Sequence, residues 1–174
     1  MIISVEKAKE LVDVKGWTDA KIERKLKAIE QTIRAYTNNN FQKRAYRVAA
    51  SIVGGQFVAL DSVPFKVGDT VQISESDLNE GLFTVVSAYD TIMTVEEDVT
   101  DEEEILVTKV EYPEDIVDCA LNLLEWEVNY RAKVGIKSET LSRHSTTYED
   151  STTMFMGYPT GVLSGAKLHR KVRF

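Results

Sequence analysis

The hydrophobic period of this chain changes twice, from helical to two-residue and back to helical, and that double switch limits the folds open to it. Between residues 18 and 37 the apolar positions Ile22, Leu26, Ile29, Ile33 and Tyr36 make one continuous stripe at helical spacing. Thr18 suits the N-cap, Asp19 suits the positive end of the helix dipole, and Asn38-Asn39-Asn40 supplies residues that tolerate a left-handed stop. On the opposite face Glu23 and Lys27 have the order that favours an i,i+4 ion pair. A shorter helix is expected after Ser4, ending at Lys15-Gly16-Trp17.

From Tyr46 the period becomes two, and β-branched runs alternate with turn residues. The pattern predicts strands near 46–52, 56–60, 70–74, 81–88, 91–95 and 105–108, with a two-residue hairpin at Gly54-Gly55 and a reversal at Asn79-Glu80-Gly81. Short strands this closely spaced suggest a small closed barrel, and Val67 to Ile73 followed by Gly81 to Val85 resembles the middle of SH3-like barrels. Helical spacing resumes after Tyr112-Pro113 at Ile116, Ala120, Leu123 or Leu124 and Val128, and runs to a natural stop at Gly135. Two helices with one apolar face each resolve most simply by packing together. The expected fold class is therefore α+β: a helical connector domain with two long amphipathic helices and a short N-terminal one, an inserted small antiparallel β-barrel, and an extended C-terminal arm. The boundaries expected are 1–44 with 113–135 for the helical body, 45–112 for the acidic barrel, and 136–174 for the arm.

Charge follows the same division. Residues 45–112 hold fourteen Asp and Glu against three Lys and Arg, whereas the remainder holds fourteen against eighteen. A separately built acidic module in a mildly basic frame implies partners of both signs. No apolar run is long enough for a membrane span and no leader pattern is present, so no membrane is expected among the partners. Cys119, the single cysteine, is expected as a small buried side chain in a helix, in a reducing compartment.

Chemistry finds little support in the residues. The run Glu96-Glu97-Asp98 with Asp101 to Glu104 lacks the alternating ligands and central glycine of a calcium loop, and reads as a solvated loop or a guard on an edge strand. His144 and His169 are far apart with no second cysteine, so no metal site is expected, and no nucleotide or cofactor motif occurs. Ser142, His144 and Asp150 lie too close together, on a segment without a scaffold, to serve as a triad. The reading is that of a protein that is not an enzyme and carries no cofactor.

What remains is the polar C-terminal stretch. Gly135-Ile136-Lys137-Ser138-Glu139, then Ser142-Arg143-His144-Ser145-Thr146-Thr147-Tyr148, then Gly157-Tyr158-Pro159, have few apolar residues with which to make a core of their own. Alternating Ser, Thr and Tyr suit a strand added to a neighbour's sheet or groove, and Tyr158 suits an anchor. Residues 161–174 are expected as a short helix on the partner, with a basic end running from Lys167 to Phe174. Deletion of such an arm should leave the folded body intact.

These motifs, in this order after the second long helix, resemble the head-tail connector (adaptor) proteins of long-tailed double-stranded DNA bacteriophages. The resemblance covers residues 1–44 and 113–174. It implies a structural virion protein that forms a homo-oligomeric ring, twelve-fold by family resemblance, under the portal protein. That ring extends the DNA channel, passes double-stranded DNA without sequence-specific binding, and docks a downstream stopper or tail-completion protein. The implied location is the virion neck, reached from the host cytoplasm during assembly. The residues assigned to portal or intersubunit contact are Ser142, Arg143, His144, Thr147, Tyr148, Tyr158, Arg170, Lys171, Arg173 and Phe174. The acidic module is expected on the outer or lower rim rather than lining the channel. A small nucleic-acid-binding regulator using the basic end is the alternative.

Overall fold

The computed structural model describes residues 1–131, 138–141, 144–147 and 154–172. The chain divides into two compact units: Asn40–Glu111 together with Met1, and Ile2–Asn39 with Tyr112–Phe174.

The first unit is a closed six-stranded antiparallel barrel. Its strands are β1 (Gln42–Val53), β2 (Gln56–Ala59), β3 (Thr70–Ser74), β4 (Gly81–Tyr89), β5 (Ile92–Val95) and β6 (Glu102–Val110), in the spatial order β1-β2-β5-β4-β3-β6 with β6 returning to β1. Alternation along each strand sends one face inward: Ile52, Phe57, Val71, Ile73, Val85, Met93, Ile105 and Val107 are all almost completely buried in one cluster. Closure leaves no strand edge open. Where the chain enters and leaves the barrel, the Glu111 amide donates to the Phe41 carbonyl at 3.1 Å and Lys43 pairs with Glu111.

The β1–β2 turn is made by Gly54 and Gly55, both at positive φ (58° and 76°), so that Val53 pairs with Gln56. Two successive left-handed residues match the strand twist, and a side chain is strained at either position. Gly55→Ala is expected to cost about 1–2 kcal/mol, read from urea unfolding. A loss below a few tenths would mean that this turn does not fix the register.

The second unit contains α1 (Val5–Leu11), α2 (Asp19–Thr37), α3 (Glu114–Asn129) and a C-terminal 3-10 helix (Val162–His169), with two short hairpins, β7 (Ser138–Leu141) with β8 (His144–Thr147), and β9 (Met154–Phe155) with β10 (Tyr158–Pro159). Ser4 caps α1 through its side chain, and Asn38 ends α2 in the left-handed conformation. Ile22, Leu26, Ile29 and Ile33 of α2 are fully buried, as are Ile116, Ala120, Leu123 and Leu124 of α3.

The expectation of a helical connector domain ending in an extended arm is overturned. Only about 34% of the structure is helical, and the closed six-stranded barrel forms a compact unit of its own. Nor is the C-terminal segment a free arm where its burial is described: the short helix expected over 161–174 packs on this chain's own helices rather than on a partner. Residues 162–169 are helical, with Leu163 and Ala166 fully buried, and Tyr158 is buried as well. The physical reason lies in α3. It buries residues at 116, 119, 120, 123, 124 and 127, a face wider than one neighbouring helix covers.

Candidate interaction surface

The C-terminal segment is fixed to its own helices by a buried ionic cluster. Glu127 on α3 has a side chain only 1% exposed; its Oε2 accepts from Lys25 Nζ of α2 at 2.9 Å, and its Oε1 makes an ion pair with Arg131 at 2.9 Å that is not aligned as a hydrogen bond. Arg131 in turn donates to the Gly157 carbonyl at 2.7 Å and lies over the rings of Trp126 and Tyr158. Burial, and then the neighbouring Glu127 carboxylate, push the Tyr158 phenol well above its ordinary pKa, so it stays a neutral hydrogen-bonding group. A second buried carboxylate, Glu30, accepts from the Tyr112 hydroxyl at 2.6 Å.

The 3-10 helix is held at both ends. At its start the Cys119 thiol contacts the Val162 carbonyl at 3.5 Å, and at its end His169 Nε2 meets Asp115 Oδ2 at 2.7 Å. The hydrogen bond from His169 holds the Asp115 carboxyl below the ordinary aspartate value of 3.8. A depressed carboxylate pKa contributes stability that is complete above the unfolded value and lost as the pH falls through the folded one. This contact is therefore expected to weaken from about pH 4 downward. Asp115→Asn should flatten that part of the pH dependence of hydrogen exchange in 162–169, and an unchanged profile would remove the pair from the account.

Beyond His169 the chain lies along the end of α2. The Lys171 amide donates to the Thr37 carbonyl at 2.8 Å, Asn39 Nδ2 to the His169 carbonyl at 3.2 Å, Asn38 Nδ2 to the Lys171 carbonyl at 3.4 Å, and Arg170 lies over the Tyr36 ring. This anchored backbone holds Leu168, 90% exposed, and Val172 out in solvent among Lys167, Arg170 and Lys171. Apolar side chains ordered yet wet, inside a basic segment, form a surface suited to a partner.

The residues assigned from sequence are thus dispersed. Arg170 and Lys171 belong to this anchored, exposed end, whereas Tyr158 faces inward and tilts against Trp126 at 5.7 Å between ring centroids. His144 and Thr147 lie on β8. Ser142, Arg143, Tyr148, Arg173 and Phe174 lie outside the described residues. Leu168 and Val172, absent from the assigned set, were signalled only by being apolar amid charges.

The acidic run organises loops. Glu102 accepts from the Asp77 amide at 2.6 Å and from Asn79 Nδ2 at 2.7 Å, Glu97 from the Thr84 amide at 2.9 Å, and Asp101 from the Gly55 amide at 3.3 Å. Hydrogen bonding, led by the Ser76 hydroxyl, holds Glu102 below the ordinary glutamate pKa. No cluster of three or more His, Cys, Asp or Glu that could hold a metal ion occurs among the described residues. No helix among them is long and apolar enough to cross a membrane. An open groove of about 640 Å³ runs between α3 and the 3-10 helix, lined by Asp118, Asn122, Glu125 and Trp126 among others. No protein-family model matches the chain, and no curated protein is significantly similar to it.

Proposed function

We propose that this chain is a structural head-tail connector of a long-tailed double-stranded DNA bacteriophage, assembling as a ring under the portal, lengthening the DNA channel and docking neck or tail proteins. The observation that carries the reading is the C-terminal segment. The sequence motifs of that segment resemble that family, and its end presents Leu168 and Val172 from an anchored, basic backbone, as an assembly surface would. The opposite charge balances of the two units add support, because a part that joins several unlike partners benefits from distinct surfaces. The proposal assigns no catalytic step and no cofactor, and it places the protein in the virion neck.

Co-expression with the portal protein encoded in the same genome, followed by affinity capture of the portal, tests this directly. The chain is expected to co-purify in multiple copies per portal. Its absence from the captured portal, together with a DNA mobility shift that weakens steeply with salt, would instead favour the nucleic-acid-binding regulator.

A further inference from the structure

The outer face of the barrel carries an apolar row. Val58 on β2 is the cross-strand partner of Ile92 on β5, and Ile92 is in turn the partner of Tyr89 on β4, so the three side chains cross adjacent strands side by side. Leu60, two residues beyond Val58, continues the same face. Leu60 and Tyr89 are each 86% exposed, and Val58 and Ile92 are nearly half exposed. The loops beside them are tied together, with the Val63 amide donating to the Asp90 carbonyl at 2.7 Å and the Ser62 hydroxyl to the Asp90 carboxylate at 2.9 Å. Asp61 and Asp90 therefore flank an ordered apolar surface.

We infer that this row is the seat of the C-terminal end, residues 167–172, of a second copy of the chain. Two complementarities carry it. Leu168 and Val172 are exposed apolar side chains that need a dry surface, and the row is one of matching kind. Their neighbours Lys167, Arg170 and Lys171 are cationic, whereas residues 40–111 hold fourteen acids against five bases. Two barrels meeting row to row would bring like charges together, which argues against symmetric pairing through this face. A contact between two different surfaces of identical chains is heterologous, and its repetition closes into a ring when the rotation allows. The inference deepens the ring reading above and rests on it.

Sedimentation velocity of the full chain tests the contact without the portal. One variant carries Leu60→Ser with Tyr89→Ser, the other Leu168→Ser with Val172→Ser, and all four positions lie outside the two cores. The wild-type chain is expected to associate progressively with concentration, and each variant to associate at least about tenfold more weakly. Mixing the two variants leaves one intact row and one intact end, so the mixture should form heterodimers and stop there. A wild-type chain that stays monomeric up to about 1 mM, variants that associate like wild type, or a mixture without heterodimers would each overturn the contact. Portal capture separates the two claims. Self-association through this contact without portal binding would remove the ring reading alone, while portal rings formed equally well by both variants would remove the contact and leave the ring.

Discussion

Removing residues 154–174 is expected to unfold the helical unit, not to leave a sound body that has merely lost an arm. Leu163 and Ala166 are fully buried and Tyr158 nearly so, and the truncation would uncover Cys119 and Trp126 on α3, which touch Val162 and Tyr158. It would also cut the support of the Glu127 cluster, whose Arg131 loses the Gly157 carbonyl and the Tyr158 ring. Burial of one Leu and one Tyr alone is worth about 4 kcal/mol, a large share of the stability of a small domain. Hydrogen exchange in α2 and α3 of the truncated chain should approach that of unfolded peptide. Retention of native protection in both helices would show that the C-terminal segment merely rests on the unit.

In the barrel, Phe57→Ala is expected to lower stability by about 3–5 kcal/mol. Phe57 is among the largest fully buried side chains, and its cross-strand partners Ile52 and Met93 are both 1% exposed, so three strands converge on the space it fills. A barrel closed by continuous pairing cannot collapse readily into that void, which puts the cost toward the upper end. Val58→Ala, one residue along on the outer face, should change stability by less than about 0.5 kcal/mol. Urea unfolding of the two variants makes the comparison. Similar losses for both would mean that the inward and outward faces of β2 have been misassigned.

The helices at 19–37 and 114–129 and the hairpin at Gly54-Gly55 were legible because each rests on local physics. A stripe at helical spacing has one way to be buried, and two adjacent glycines between alternating runs select a turn whose backbone only they adopt without strain. A short helix was expected over 161–174, but the surface it covers, α3 of its own chain rather than a partner, was not legible. A 3-10 helix buries every third residue, and here only Leu163 and Ala166 are buried, too few to reveal from sequence which surface they cover. A trace of it did exist in α3. The adjacent pairs Cys119-Ala120 and Leu123-Leu124 widen the apolar face beyond what one partner helix covers, which calls for a third element.

Glu127 and Glu102 were hidden differently. Each sits where a solvated acid is ordinary, and the groups that make it structural are remote: Lys25 lies 102 positions from Glu127, and the 76–79 turn more than twenty from Glu102. Long-range polar pairing leaves no periodic trace. Of the interaction surface, sequence reading reached the basic end through its charge. It passed over Leu168 and Val172, because exposure distinguishes them and exposure depends on how the backbone from His169 to Lys171 is tied to α2.

The central claim is assembly on the portal, and electron microscopy of portal particles purified after co-expression with the full chain tests it most directly. Class averages are expected to show an added ring of density beneath the portal, coaxial with the channel and sharing its rotational symmetry. Portals that are intact, saturated with the chain in the preparation and yet free of that ring would contradict the account.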